Sequence, residues 1–114
     1  MQISQIEEIL NAELICEEDC REEEVLTACG SDMMSDVLAF VKDQAVLLTG
    51  LINPQVVRTA MMMDMRCLVL VRDKRPTEEM KRLASENHIA MLSTPFGMYD
   101  ACGRLYANGL GIDQ

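Results

Sequence analysis

Aromatic residues are scarce in this chain, at 4% of 114 residues with no tryptophan, and ten methionines stand in their place. Methionine is a flexible filler, so the expected core is serviceable but loosely specified. Basic residues are also few. Ten Lys and Arg face nineteen Asp and Glu, for a formal charge of −9, which argues against nucleic acid because a phosphate backbone needs a basic stripe. No apolar stretch approaches the roughly 20 residues of a membrane span. The opening Met1-Gln2-Ile3-Ser4-Gln5 has neither the basic region nor the apolar run of an export signal, and a cytoplasmic location is expected. Histidine occurs once, and the five cysteines at 16, 20, 29, 67 and 102 include no Cys-x-x-Cys. Free thiols are therefore expected, with no metal and no cofactor.

The catalytic motifs are missing too. The chain has no Gly-x-x-x-x-Gly-Lys-[Ser/Thr], no Gly-x-Gly-x-x-Gly after a strand and no Gly-x-Ser-x-Gly. P-loop, dinucleotide and α/β-hydrolase chemistry are excluded in turn. His88 ends a charged helix, where a histidine ordinarily meets the helix dipole. Asp32 and Asp36 stand i,i+4 near a helix start, where acids complement the dipole rather than form a catalytic pair. No enzyme activity is expected.

What remains is an ordinary globular composition, 49% apolar and 25% charged, read as a single domain over residues 1–114. Ile3, Ile6, Ile9 and Leu10 recur at helical spacing. Ala12–Ile15 reads as a short strand, and the acidic stretch 17–24 as an exposed loop. From Val25 onward strands and helices alternate: Val25–Cys29, a helix capped by Ser31 and Asp32 with Val37, Leu38, Phe40 and Val41, then Ala45–Leu48 and Pro54–Asp64. Cys67–Val71 is a continuous apolar run, as expected of a strand covered on both faces. Pro76–Glu79 opens an amphipathic helix burying Met80, Leu83 and Ala84, with Glu78 and Arg82 as an i,i+4 pair. Ile89–Leu92 and a helix from Thr94-Pro95, bearing Tyr99, Cys102, Leu105 and Tyr106 and stopped by Gly109 or Gly111, complete the chain. Arg72, Lys74 and Arg75 read as a solvated loop. The alternation predicts an α/β fold: a mostly parallel sheet of four to five strands, helices on both faces, right-handed crossovers.

The most informative stretch is Leu47–Ala60. A buried strand breaks at Thr49-Gly50, and a helix starts with Asn53 as cap and Pro54 at its first position. Parallel strands gather such ends along one edge, where α/β proteins place ligands. Ser31, Asp32, Thr49, Gly50, Asn53, Ser93 and Thr94 are the candidate ligand-binding residues, suited to a nucleotide or phosphorylated metabolite. The same residue types also serve tight turns and caps. Met61, Met62, Met63 and Met65 exceed what one core face uses. They are the candidate interface of a homo-oligomer, expected to be a dimer, or of a protein partner.

The segments 28–39, 47–55, 92–94 and 98–106 together resemble the DRTGG domain over essentially the whole chain. Of the Asp-Arg-Thr-Gly-Gly signature itself, Thr49-Gly50 is what stands here. The resemblance implies a three-layer α/β/α sandwich similar to the N-terminal domain of HPr kinase/phosphorylase. It further implies a domain that accompanies phosphotransacetylases, CBS-containing pyrophosphatases and HPr kinases in a regulatory or assembly-forming role, without catalysis of its own. A non-catalytic regulatory or oligomerisation module is the expected function, with a small-molecule sensor as the alternative.

Overall fold

A computed structural model describes residues 1–16, 18–41 and 44–111, and Glu17 of the acidic stretch lies outside them. The elements run α1 (Ile3–Ile9), β1 (Glu13–Cys16), a 3₁₀ turn (Glu18–Glu22), β2 (Thr27–Gly30), α2 (Met34–Phe40), β3 (Ala45–Thr49), α3 (Pro54–Met62), β4 (Cys67–Leu70), α4 (Glu78–Glu86), β5 (Ala90–Ser93) and α5 (Met98–Ala107). The five strands form one sheet in the order β1-β5-β4-β3-β2. β2 through β5 are parallel, and β1 joins β5 antiparallel. The α/β fold read from the sequence is the fold observed.

Strand order decides where the helices go. β2, β3, β4 and β5 are neighbours in chain order, so successive right-handed crossovers all step the same way and leave their helices on one face. α2 packs on α3, and α3 on α4. The crossover helices are thus confined to a single face, and α1 and α5, which cross nothing, cover the other.

Period-two alternation splits the core accordingly. Ala45, Leu47, Leu68, Leu70 and Met91 join Val37, Val57, Ala60, Met80 and Ala84 beneath α2–α4. Val46, Leu48, Val69, Ala90 and Leu92 join Ile3, Ile6, Leu10, Ala101 and Leu105 beneath α1 and α5. Both faces are dry, which is why β3, β4 and β5 read as unbroken apolar runs.

Several local expectations need correction. α2 has Met33 at its N-cap with no side-chain cap, so neither Ser31 nor Asp32 caps it. Asp32 precedes that helix, and only Asp36 lies in its first turn. Val37 alone of α2 is buried; Leu38 and Phe40 are exposed, as are Tyr99 and Tyr106 on α5. α4 pairs Lys81 with Glu78 and Arg82 with Glu86 instead of Glu78 with Arg82. The acidic stretch is less open than expected. Its 3₁₀ turn buries Cys20 in the core, while Arg21 holds Glu7 through two bonds of 3.0 and 3.1 Å. Gly109 does stop α5. It takes a left-handed φ of +98°, and the Leu110 N–H returns to the Leu105 carbonyl at 3.1 Å, a closure glycine permits without strain.

Candidate functional site

The C-terminal ends of β2–β5 bring four turns to one edge, and every candidate side chain there already holds another part of the fold. Asp32 reaches across from the β2–α2 turn to the end of β3. Its Oδ1 accepts from the Thr49 hydroxyl at 2.8 Å and the Gly50 N–H at 2.7 Å. The Thr49 hydroxyl in turn accepts from the Leu51 N–H at 3.1 Å. Asn53 caps α3 through the Gln55 N–H at 2.8 Å, as the sequence indicated. Ser31 accepts from the Met33 N–H at 3.0 Å and so shapes the turn before α2.

The other two candidates are buried. Ser93 donates to the Lys74 carbonyl at 2.8 Å, and Thr94 donates to the Leu10 carbonyl at 2.6 Å. Thr49, Ser93 and Thr94 are all closed to solvent. Their hydroxyls bond within the protein, and in this structure they tie the fold together.

In an open α/β sheet the ligand crevice lies where neighbouring strands send their chains to opposite faces. Here that place falls between β4, which leads to α4, and β5, which leads to α5. Hydrogen bonds close it. The Arg72 N–H bonds the Phe96 carbonyl and the Asp73 N–H bonds the Thr94 carbonyl, both at 2.8 Å. Arg72 and Asp73 both adopt φ of +57° to aim those groups, an unfavourable conformation for residues with a Cβ. The crevice is stitched shut by main chain.

The electrostatics agree. The Gly50 N–H and the Thr49 hydroxyl, with the Arg72 and Lys74 charges behind them, hold the Asp32 carboxyl below its ordinary range against a small cost of burial. Those are the donors a phosphate would want, and an internal carboxylate occupies them. Arg72 is the residue sequence reasoning undervalued: a Cβ on Gly50 would stand 3.3 Å from its Nη2 and 3.7 Å from Asp32 Oδ2. The signal available was a basic residue directly after a buried strand.

Asp32→Ala should therefore cost about 1 kcal/mol, with Asp32→Asn recovering most of it, because the exposed carboxylate is screened but Thr49 loses its acceptor. A carboxylate whose pKa is lowered on folding adds stability above its unfolded value near pH 4, and loses it as pH falls through the folded value. The gap between wild type and Asp32→Ala in thermal melts should narrow below about pH 4.

Among the described residues no other chemistry gathers at this edge. His88 lies after α4 and before β5, at the opposite end of the sheet. Burial pushes the Cys67 thiol far up, and burial followed by the Asp36 charge raises Cys29. Burial followed by Cys29 raises Cys102, which is half-buried rather than in the core. Raised thiols are poor nucleophiles. Among the described residues no cluster of His, Cys, Asp and Glu could hold a metal, and no helix is long and apolar enough to cross a membrane. Of the four candidate interface methionines, Met61 and Met62 are exposed and Met63 is half-buried, but Met65 is a core residue at 1% exposure. α3 ends at Met62, and the left-handed Asp64 turns Met65 inward.

Comparison with known proteins agrees with this architecture. The family model of the DRTGG domain matches residues 5–107. No curated protein matches the chain. Among solved structures it is similar to the CBS and DRTGG domains of the regulatory region of Clostridium perfringens pyrophosphatase, a complex with the activator diadenosine tetraphosphate. The TM-score is 0.76 at 19% identity, covering 98% of this chain and 48% of that one. The chain thus spans about half the length of that structure.

Proposed function

The chain belongs to the DRTGG domain family, and from that premise we propose that it is a non-catalytic regulatory module that works by associating with protein chains, its own copies included. The observation that carries this reading is the closed strand edge. Its donors serve Asp32 and its crevice is bridged by the Arg72 and Asp73 amides. A surface whose polar groups are already satisfied has little to offer a substrate, so function moves to the outer faces. The regulatory setting of the pyrophosphatase relative supports the same assignment. Free cysteines suit a cytoplasmic setting.

The second reading, a sensor for a nucleotide or phosphorylated metabolite, draws on the activator named for that relative and on Arg72 beside Gly50. Thermal unfolding against nucleotides and acyl phosphates separates the two. A ligand at about 100 times its dissociation constant adds about 2.7 kcal/mol and raises the midpoint by roughly 10 °C in a domain of this size. We expect a flat panel. A saturable rise lost in Arg72→Ala would establish the sensor instead.

A further inference from the structure

We infer that the outer edge of β2 is the seam at which two copies of this chain join, an inference that rests on the association reading above. The sheet has two edges, and they are built differently. β1 pairs antiparallel with β5 through an irregular register between Leu14 and Cys16, carries Glu13, and leads into the acidic stretch. Bulges and charges of this kind block the addition of another strand. β2 is Thr27-Ala28-Cys29-Gly30, with no charge, no proline and an even register to β3. Among the described residues, its main chain makes no backbone hydrogen bond outside the β2–β3 ladder. Among the described residues one edge is guarded and the other is open, with Gly111 lying against Thr27 at its start.

The flanks of the open edge are apolar. Leu26 and Met33 bracket β2, and both are exposed. Leu38 and Phe40, the latter 76% exposed, sit on α2, the outermost helix of its row. On the other face α5 packs over β2 and β3 and carries Tyr99, 93% exposed, and Tyr106. Of the large apolar side chains exposed among the described residues, Met61 and Met62 alone belong to an element away from this edge. An open strand flanked on both faces by uncovered apolar residues fits a further strand with helices on both faces.

Charge selects a second copy as the occupant. A two-fold axis sets like against like, so a chain of charge −9 pairs with itself where charge is least. Residues 25–41 carry Asp32 and Asp36 and no basic residue, whereas residues 17–24 hold six acids and one arginine. α5 is neutral: Asp100 accepts from Arg104 at 3.1 Å, and an antiparallel copy of α5 can exchange these partners. Antiparallel β2 pairing would merge two five-stranded sheets into one, with α2 and α5 meeting their copies on either side.

The test is light scattering of the full chain from about 1 to 100 μM, since a self-associating protein responds to its own concentration. We expect a wild-type dimer, weakened about tenfold or more by Ala28→Lys and by Phe40→Glu, and unchanged by Met62→Glu. Ala28, Phe40 and Met62 are exposed, so folding should survive all three changes, as circular dichroism would verify. Amide exchange at 27–30 should slow as wild-type concentration rises. A wild-type monomer throughout the range overturns both the association of copies and the seam. A dimer broken by Met62→Glu but indifferent to Ala28→Lys and Phe40→Glu overturns the seam alone and leaves association standing.

Discussion

Leu68→Ala is expected to lower the unfolding midpoint by roughly 10–15 °C, the largest effect of any single change considered for this protein. β4 is the middle strand, and Leu68 stands directly between Leu47 on β3 and Met91 on β5. All three are fully buried in the core beneath α2–α4, with Val57, Ala60, Met80 and Ala84. Truncation removes three carbons and leaves a cavity in the centre of the sheet, where the backbone cannot close in. Losses of about 3–4 kcal/mol follow from the transfer and cavity terms together. For a domain of this length, each kcal/mol moves the midpoint by about 4 °C. Melting at fixed protein concentration, followed by circular dichroism, checks the value. Met80 and Met91 are the side chains most able to lean into the space. A fall under about 5 °C would show that they fill it, and that this methionine-rich core is softer than its burial implies.

The same core explains how much could be read in advance. Cys67–Val71 announced a strand covered on both faces, because no polar residue interrupts it. Asn53-Pro54 announced a helix start, because cap and φ preference act within a few residues of chain. Leu38, Phe40, Tyr99 and Tyr106 could be assigned to helices but not to core or surface, because helical periodicity reports which residues share a face, not whether a second layer covers it. Asp32 has the chemistry of a cap and stands one residue before the cap position, yet its carboxylate serves Thr49 and Gly50 at the end of the neighbouring strand. That contact depends on β2 lying beside β3, which is a matter of topology. Strand order also put all three crossover helices on one face, and alternation alone does not specify strand order. Ser93 and Thr94 show the same gap at the candidate site. A hydroxyl at a strand end can face a ligand or tie the fold, and the letters are the same.

Thr94→Val tests which of these jobs is done, and it should lower the midpoint by roughly 8–12 °C in the absence of any ligand. Thr94 is fully buried. Its hydroxyl donates to the Leu10 carbonyl at 2.6 Å and accepts from the Phe96 N–H at 3.3 Å. The first of these bonds ties the end of α1 to the end of β5 across 84 residues of chain. Valine fills the same space but offers neither donor nor acceptor, so a buried carbonyl loses a partner and the turn into α5 loses its brace. An unsatisfied buried acceptor costs about 1–3 kcal/mol, and the lost acceptor for Phe96 places this site toward the upper end. Thr94→Ser keeps the hydroxyl and gives up a methyl group, so it should cost only about 1 kcal/mol. A ligand-contacting threonine would behave in the opposite way. Thr94→Val would then melt close to wild type alone, and differ only by failing to respond when a ligand is added. The order wild type, Thr94→Ser, Thr94→Val in unliganded melts would therefore identify Thr94 as a structural joint of the strand edge.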